Sequence, residues 1–202
     1  LCDDMESGSG NWSHGAAQGT DDWALVTTSY NSATHAWYTA NVSSVSDKRL
    51  WNTTPIAIPS GADSATLTFW HRYAFESGWD GSVIEISTDS GATWSDLGSY
   101  ITQGGYNATI GTGYNNPLAG RSAWSGTAAW NEVAVNLTAF IGSSIQVRFR
   151  IGTDSSVAGT GWWIDDVCFS TQGGGCEPPT GAAFTWTPLS PYAGDLVTFN
   201  GS

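Results

Sequence analysis

The sequence predicts an all-β protein, an antiparallel jelly-roll β-sandwich followed by a C-terminal β-hairpin extension. Apolar and polar residues alternate with a period of two in several segments, which is typical of strands with one buried and one solvated face. Short runs rich in Gly, Asn and Asp separate these segments, and no segment shows a capped helical pattern. Many short strands joined by such turns favour a sandwich or jelly roll.

Four alternating segments define strands of the main body, at 66–69, 83–87, 133–137 and 145–151. The second of them runs into a tight turn at 88–91 (TDSG), after which the chain returns through 92–94. The fourth alternates four aliphatic or aromatic residues with Gln146, Arg148 and Arg150. We therefore expect that strand to bury one face and to expose these polar side chains on the other.

A long stretch at 98–126 carries little strand signal. A loop of this length in a compact domain is usually either functional or an ordered insert. We expect a flap that lies over one sheet, held down by Tyr106, Tyr114 and Trp124.

The composition changes sharply after the last predicted strand of the main body. A glycine run at 173–175 and the pair Pro178-Pro179 are typical of a linker. We assign residues 1–171 to the sandwich, 172–181 to a Gly/Pro linker and 182–202 to a hairpin segment. Within that segment 183–186 and 196–199 alternate again.

The charge of the chain limits its partners. Its 202 residues have a formal net charge of −12, with only six Lys and Arg side chains. Such a surface cannot neutralise a phosphate backbone, so we expect no nucleic-acid partner. We also expect no membrane insertion, because no run of 18 apolar residues exists. Divalent cations such as Ca²⁺ are the natural counter-ions of clustered carboxylates.

The chain has three cysteines, Cys2, Cys168 and Cys176, and no C-x-x-C pair. This spacing disfavours a zinc knuckle or a thioredoxin-type motif. In an oxidising compartment one disulfide is expected, with one thiol left over. The sequence leaves two pairings open, Cys168 with Cys176 and Cys2 with Cys168.

Known enzyme signatures are absent from the sequence. There is no His-Glu-x-x-His, no Gly-x-Ser-x-Gly and no P-loop, and the three histidines are isolated. We expect His71, which lies beside Trp70, to be a core or flap residue. Sugars stack on exposed aromatic rings, and the candidates for such a platform are Trp79, Trp124, Trp130, Trp162 and Trp163.

Several motifs resemble a known family. They are 4–8 (DMESG), 69–73 (FWHRY), 87–94 (STDSGATW), 116–121 (NPLAGR) and 161–167 (GWWIDDV). The series is similar to MAM-like, concanavalin-like jelly rolls, in particular the non-catalytic sandwich of secreted bacterial metallopeptidases of the immune inhibitor A type. Met5 replaces the usual Phe. The resemblance covers about residues 3 to 170, and 182–202 resembles the first two strands of a PKD-type immunoglobulin-like domain.

The resemblance implies a calcium site. The first and last strands of a jelly roll often lie side by side, which would bring Glu6 near Asp165 and Asp166. The matching family positions here are Glu6, Asp47 and either Asp165 or Asp166. Within the last strand, Asp165 alternates with Trp163 and the apolar residues that follow, so we expect it to point inward, where a carboxylate needs a cation or several hydrogen bonds.

A second acidic set is Glu76, Asp80 and Asp154, which the resemblance brings together. Glu76 and Asp80 flank a bend after one strand, and Asp154 ends another. The set could hold a second calcium ion, or these residues could serve turn formation.

We therefore expect a secreted or cell-surface protein, of bacterial type. Its function would be that of a calcium-stabilised, non-catalytic binding or adhesion module, accessory to a peptidase or adhesin. One alternative is a structural subunit of an extracellular filament or surface layer, whose C-terminal segment packs on a neighbouring subunit. A second alternative is a carbohydrate-binding module. The expected partners are neighbouring domains or subunits, and a glycan or protein surface.

Overall fold

A computed structural model describes residues 2–173, 184–187 and 198–201, the last two ranges as backbone only. It has two antiparallel sheets packed face to face. The first sheet contains β1 (Cys2–Asp3), β3 (Ala24–Val26), β4 (Ala36–Thr39), β7 (Ala62–Ala74), β10 (Ile101–Gln103), β13 (Thr127–Asn136) and β15 (Gly161–Gly173). The second contains β2 (Trp12–Gln18), β5 (Ser46–Asn52), β6 (Ile56–Ala57), β8 (Gly81–Ser87), β9 (Ser95–Asp96) and β14 (Ser144–Thr153). The predicted β-sandwich is confirmed.

The strand order is β10-β13-β7-β15-β4-β3 in the first sheet and β2-β5-β14-β8-β9 in the second. Strand β1 pairs with β15, and β6 pairs with β14. All four predicted strands of the main body exist, within β7, β8, β13 and β14. The strands between Trp12 and Asn52 carry weaker alternation and were not predicted. Two short 3₁₀ helices lie at Gly98–Tyr100 and Thr138–Phe140.

The core lies between the two sheets, where the inward residues of each strand interdigitate. Phe69 packs edge-on against Phe149 across the sandwich, and Trp162 lies beside both Trp124 and Phe149. His71 is fully buried among these rings, as predicted for a core residue. Burial lowers the pKa of His71 to about 3, so the imidazole is neutral at physiological pH.

The first strand of the chain is joined to the last long one by a disulfide. Cys2 and Cys168 are direct cross-strand partners and their sulfurs are bonded. This decides between the two pairings that the sequence left open. Cys176 lies outside the described residues.

The predicted flap forms between the 3₁₀ helix at Gly98–Tyr100 and β13. Tyr106 and Trp124 hold it to the sheet as predicted, whereas Tyr114 is exposed (58%). A small hairpin of β11 (Ala108–Thr109) and β12 (Ser122–Ala123) covers one end of the outer face of the second sheet. Its apolar residues pack on Val83, which points outward from β8. Two glycines allow this close approach: a Cβ at Gly81 would lie 2.5 Å from the Trp124 carbonyl oxygen, and one at Gly152 would meet Asn116 and Leu118.

The C-terminal hairpin is formed by β16 (Phe184–Thr187) and β17 (Thr198–Gly201), which pair antiparallel. Strand β15 continues to Gly173, two residues into the predicted linker at 172–181. The remainder of that linker lies outside the described residues. The side chains of the hairpin do too, so its packing on a partner stays a prediction.

Candidate functional site

The carboxylate of Glu6 binds the segment that leads into β4. Its Oε1 accepts hydrogen bonds from the backbone N–H groups of Thr34 (2.9 Å) and His35 (2.7 Å), and its Oε2 accepts one from the Thr34 hydroxyl (2.6 Å). The Thr34 and His35 hydrogen bonds lower the pKa of Glu6 to about 2. Glu6 is therefore ionised and its oxygens already have donors.

Asp165 and Asp166 bind the same segment from the other side. Asp165 Oδ2 accepts the N–H groups of Asn31 (2.7 Å) and Ser32 (3.2 Å). Asp166 accepts the Asn31 amide (2.8 Å) and the Ser32 hydroxyl (2.6 Å). Burial raises the pKa of Asp165 to about 6, against the opposing hydrogen bonds from Asn31 and Ser32. Glu6 and these aspartates thus jointly anchor residues 31–35.

Asp165 is fully buried, as predicted, but both Asp165 and Trp163 point away from the core between the sheets, which corrects the predicted face. Asp166 has a left-handed backbone (φ 49°), and the register of β15 against β7 shifts between Asp165 and Cys168. This β-bulge inserts one residue, so side chains before and after it change faces. Trp162 and Ile164 point into the core, as does Val167 after the bulge. Trp163 stacks outside, under Arg72.

Asp47 lies on β5 of the second sheet, whereas Asp165 lies on β15 of the first. It accepts hydrogen bonds from Arg150 (2.8 and 2.9 Å) and from Arg49 (2.6 and 3.2 Å). Burial opposes ionisation of Asp47, but the two arginines outweigh it and lower the pKa. The structure therefore does not bring the four carboxylates of the first predicted set together, because Asp47 has two guanidinium partners instead.

The second predicted set does come together. Glu76, Asp80 and Asp154 each place a carboxylate oxygen so that all three lie within 4.8 Å of one another. Within the described part of the chain this is the one group of three or more such ligands at that spacing. Glu76 follows β7, Asp80 precedes β8 and Asp154 follows β14, so three strand ends converge here.

The hydrogen bonds at this cluster leave one buried carboxylate oxygen without a donor. Asp80 accepts the Asn41 amide (2.6 Å) and the Asp154 N–H (2.7 Å). Asp154 Oδ1 accepts from Ser156, but its buried Oδ2 has no partner among the described residues. Burial raises the pKa of Asp80 to about 6, and the neighbouring carboxylates add to the shift. Three hard oxygen ligands and an unpaired buried oxygen fit a calcium ion.

The outer face of the second sheet carries a network of ion pairs. Outward residues of neighbouring strands align in rows, so Trp51 on β5 pairs with Arg148 on β14, which pairs with Glu85 on β8. Arg148 donates to Glu85 (2.8 and 2.5 Å), and Arg121 of the flap bridges Glu85 and Asp96 (both 2.6 Å). These pairs hold the arginines in fixed orientations.

A groove of about 390 Å³ crosses this face, from β2 to the turn between β8 and β9. We call it the Trp51–Trp94 groove. Both indole rings are only partly buried. The lining residues are Gly15, Ala16, Ala17, Arg49, Trp51, Ser90, Gly91, Trp94, Gln146 and Arg148. The Arg148 guanidinium lies over the Trp94 ring, 4.2 Å from its centroid.

The sequence-based choice of sugar-binding tryptophans missed this groove. Trp124, Trp162 and Trp163 are buried and cannot stack on a ligand. Trp79 and Trp130 are partly exposed but lie elsewhere. The alternation of β14 predicts that Arg148 and Gln146 are exposed; both lie on the outer face but are buried there, Arg148 between Trp94 and Glu85. Strand β5, which carries Trp51, has weaker alternation, so the sequence does not predict the alignment of Trp51 with Arg148.

Comparison with known proteins gives distant similarities. No protein-family profile matches the sequence. The chain is 24% identical over 179 residues to Bacillopeptidase F of Bacillus subtilis (strain 168), which covers 85% of this chain. The chain spans only 11% of the length of that relative.

Solved structures share the fold at low identity. The K1 cleaved adhesin domain of Lys-gingipain from Porphyromonas gingivalis W83 has a TM-score of 0.54 at 19% identity, covering 86% of this chain and 98% of that one. TmCBM61 in complex with β-1,4-galactotriose has a TM-score of 0.51 at 13% identity, covering 83% and 94%. The C-terminal family 22 carbohydrate binding module of Clostridium thermocellum Xyn10B has 0.50 at 10%, covering 86% and 94%. These likenesses show that the chain has the β-sandwich fold found in adhesin and carbohydrate-binding modules.

Proposed function

We propose that this chain is a calcium-stabilised, non-catalytic binding module of a secreted or surface-exposed bacterial protein, and that its ligand occupies the Trp51–Trp94 groove. The groove is the observation that carries the proposal. Trp94 also holds its own turn through a hydrogen bond to Gly91, but two partly exposed indole rings beside oriented guanidinium groups form a surface that suits ligand binding.

The similarity to Bacillopeptidase F supports a place beside a peptidase, and the adhesin domain of Lys-gingipain supports a role in adhesion. The carbohydrate-binding neighbours support a glycan as the ligand. Among the described residues no helix is long and apolar enough to cross a bilayer. We favour a glycan over a protein surface, because partly exposed tryptophans beside small residues can stack on a pyranose ring.

Binding to a glycan panel tests this function. We expect Trp51→Ala and Trp94→Ala to weaken binding at least about tenfold, which corresponds to about 1.4 kcal/mol. Tyr30→Ala is the matched control, because Tyr30 is an exposed aromatic residue (44%) in the segment that packs on the first sheet. Equal loss in all three variants, or no loss in either tryptophan variant, would contradict the assignment of the groove.

Calcium would bind through Glu76, Asp80 and Asp154. The ion would pair the buried Asp154 oxygen and offset the repulsion among three carboxylates that converge from separate strand ends. Since the ion would bind the folded state, calcium at 100 times its Kd should stabilise the protein by about 2.7 kcal/mol. The role would be structural, tying the ends of β7, β8 and β14 together.

Thermal unfolding with calcium and with a chelator tests this site. We expect the calcium-dependent rise in Tm to vanish in Asp154→Asn and to persist in Asp63→Asn, a control at an exposed position on β7. Asp165→Ala discriminates between the two predicted sets. If the rise is lost in Asp165→Ala and kept in Asp154→Asn, calcium binds the first set, and the proposal for the second is wrong.

A filament or surface-layer subunit remains the alternative function. It depends on the C-terminal hairpin, whose side chains lie outside the described residues. Size-exclusion chromatography and negative-stain imaging of the native protein would distinguish the two functions, because a monodisperse monomer is incompatible with a filament.

A further inference from the structure

We propose that the Trp51–Trp94 groove selects glycans that carry carboxylate groups, such as uronates or sialates, with Arg49 and Arg148 as the residues that recognise the carboxylate. This inference rests on the proposed glycan-binding function and adds a substrate class to it. It is carried by the distribution of positive charge, by the unused donors of two arginines and by the shape of the groove.

Positive charge is concentrated on this one face. Four of the six cationic side chains lie there, against three carboxylates; the set comprises Arg49, Arg121, Arg148 and Arg150 with Asp47, Glu85 and Asp96. In a protein of net charge −12 this face, together with Asp89 in the turn between β8 and β9, is thus close to neutral. An anionic ligand would be repelled by most of the surface and least repelled here.

Two of these arginines still have donors to offer. Arg49 uses Nε and one terminal nitrogen on Asp47, and Arg148 uses the same pair of atoms on Glu85. The Nη1 groups of both donate no hydrogen bond within residues 2–173. Both arginines line the groove. Because their carboxylate partners fix the guanidinium planes, the free N–H groups are pre-oriented for a second carboxylate.

The rest of the lining suits a sugar ring better than a peptide. Trp51 and Trp94 line the groove together with Gly15 and Gly91, and a Cβ on either glycine would contact the neighbouring indole ring. The two glycines thus leave space beside the rings for a sugar. Gln146 is held by hydrogen bonds from its amide to the carbonyl oxygens of Asn52 (2.9 Å) and Thr53 (3.2 Å). Its Oε1 is thereby oriented as an acceptor for a hydroxyl group.

Titration of the intact chain with matched probes tests the inference. The probes are tetragalacturonate and its full methyl ester, sialyllactose and lactose, and a hexaglutamate peptide. Binding is followed by calorimetry and by the NMR signals of the Trp51 and Trp94 indole N–H groups. We expect at least one carboxylated sugar to bind about tenfold more tightly than its neutral counterpart. Added salt should reduce this preference.

Arg49→Gln should weaken binding of the carboxylated probe about tenfold and weaken binding of its neutral counterpart much less, so that the preference between them is lost. The variant should fold, since Asp47 keeps Arg150 as a partner. Arg72→Gln is the control, because Arg72 lies on the first sheet. Equal binding of the charged and the neutral sugar in both probe pairs overturns the inference but leaves the proposed function intact. Tight binding of hexaglutamate that survives Trp51→Ala also overturns the inference.

Discussion

At the scale of single residues, buried carboxylates divide into those with counter-charges and those without. Asp47 has two arginines and a lowered pKa, whereas Asp165 has only N–H donors and a pKa raised to about 6. Sequence pattern identified these residues as unusual but could not assign their partners. The partner of Asp165 is Asn31, 134 positions away, and no local pattern encodes such a contact.

The pKa of Asp165 predicts a pH dependence of stability. Its folded value of about 6 exceeds the ordinary 3.8, so the folded state binds the proton more tightly than the unfolded state. As pH falls from 7.5 to 4, this carboxyl should therefore add about 2 kcal/mol to the free energy of unfolding. Asp165→Asn should lack that gain.

Urea denaturation in a chelator at several pH values measures the effect. His71 titrates in the opposite sense, because its lowered pKa makes acid destabilising. It is present in both proteins, so the difference between wild type and Asp165→Asn isolates Asp165. Parallel pH curves for the two proteins would contradict the prediction.

At the scale of elements, the bulge in β15 decides which tryptophan enters the core. Simple alternation assigned Trp163 inward, and the extra residue at Asp166 reverses this. The bulge also separates two pairing partners on the edge of β15 that faces away from β7. Strand β4 pairs with Trp162–Ile164 before the bulge, and β1 pairs with Val167 and Cys168 after it.

The left-handed backbone of Asp166 predicts a clear ranking of substitutions. Asp166→Val should destabilise the fold by about 1–3 kcal/mol, because a β-branched residue strains this conformation. Asp166→Gly loses the same hydrogen bonds to Asn31 and Ser32 but adopts positive φ freely. Chemical denaturation should find the glycine variant more stable than the valine variant. The reverse order would argue against the bulge.

The flap depends on its close approach to β8. Gly81→Ala would place a methyl group 2.5 Å from the Trp124 carbonyl oxygen and 2.7 Å from Ile110. We expect a loss of about 1–3 kcal/mol in stability and faster amide exchange at 107–124. Gly10→Ala, where nothing lies within 4 Å of the added atom, should change neither measurement.

At the scale of the whole molecule, the disulfide joins residues 166 positions apart. Cross-linking so long a loop restricts the unfolded chain, and the chain-entropy treatment gives about 5 kcal/mol for it. The double variant Cys2→Ser, Cys168→Ser should therefore lose about 2–5 kcal/mol of stability in guanidinium denaturation. Cys176→Ser is the matched control. If the control loses as much as the double variant, the pairing with Cys168 is different.

The sequence by itself determined the fold class and much of the strand content. Alternation is a local property that burial of one sheet face imposes on each strand, so β7, β8, β13 and β14 could be read directly. Through the family resemblance, it also predicted that Glu76, Asp80 and Asp154 come together.

Only the tertiary structure decided which distant residues meet. The Cys2–Cys168 bond, the guanidinium partners of Asp47 and the alignment of Trp51 with Arg148 all depend on register between strands far apart in the chain. Register is set by pairing across the whole sandwich, and a single bulge reverses the face of every later side chain. The Trp51–Trp94 groove is a product of that pairing.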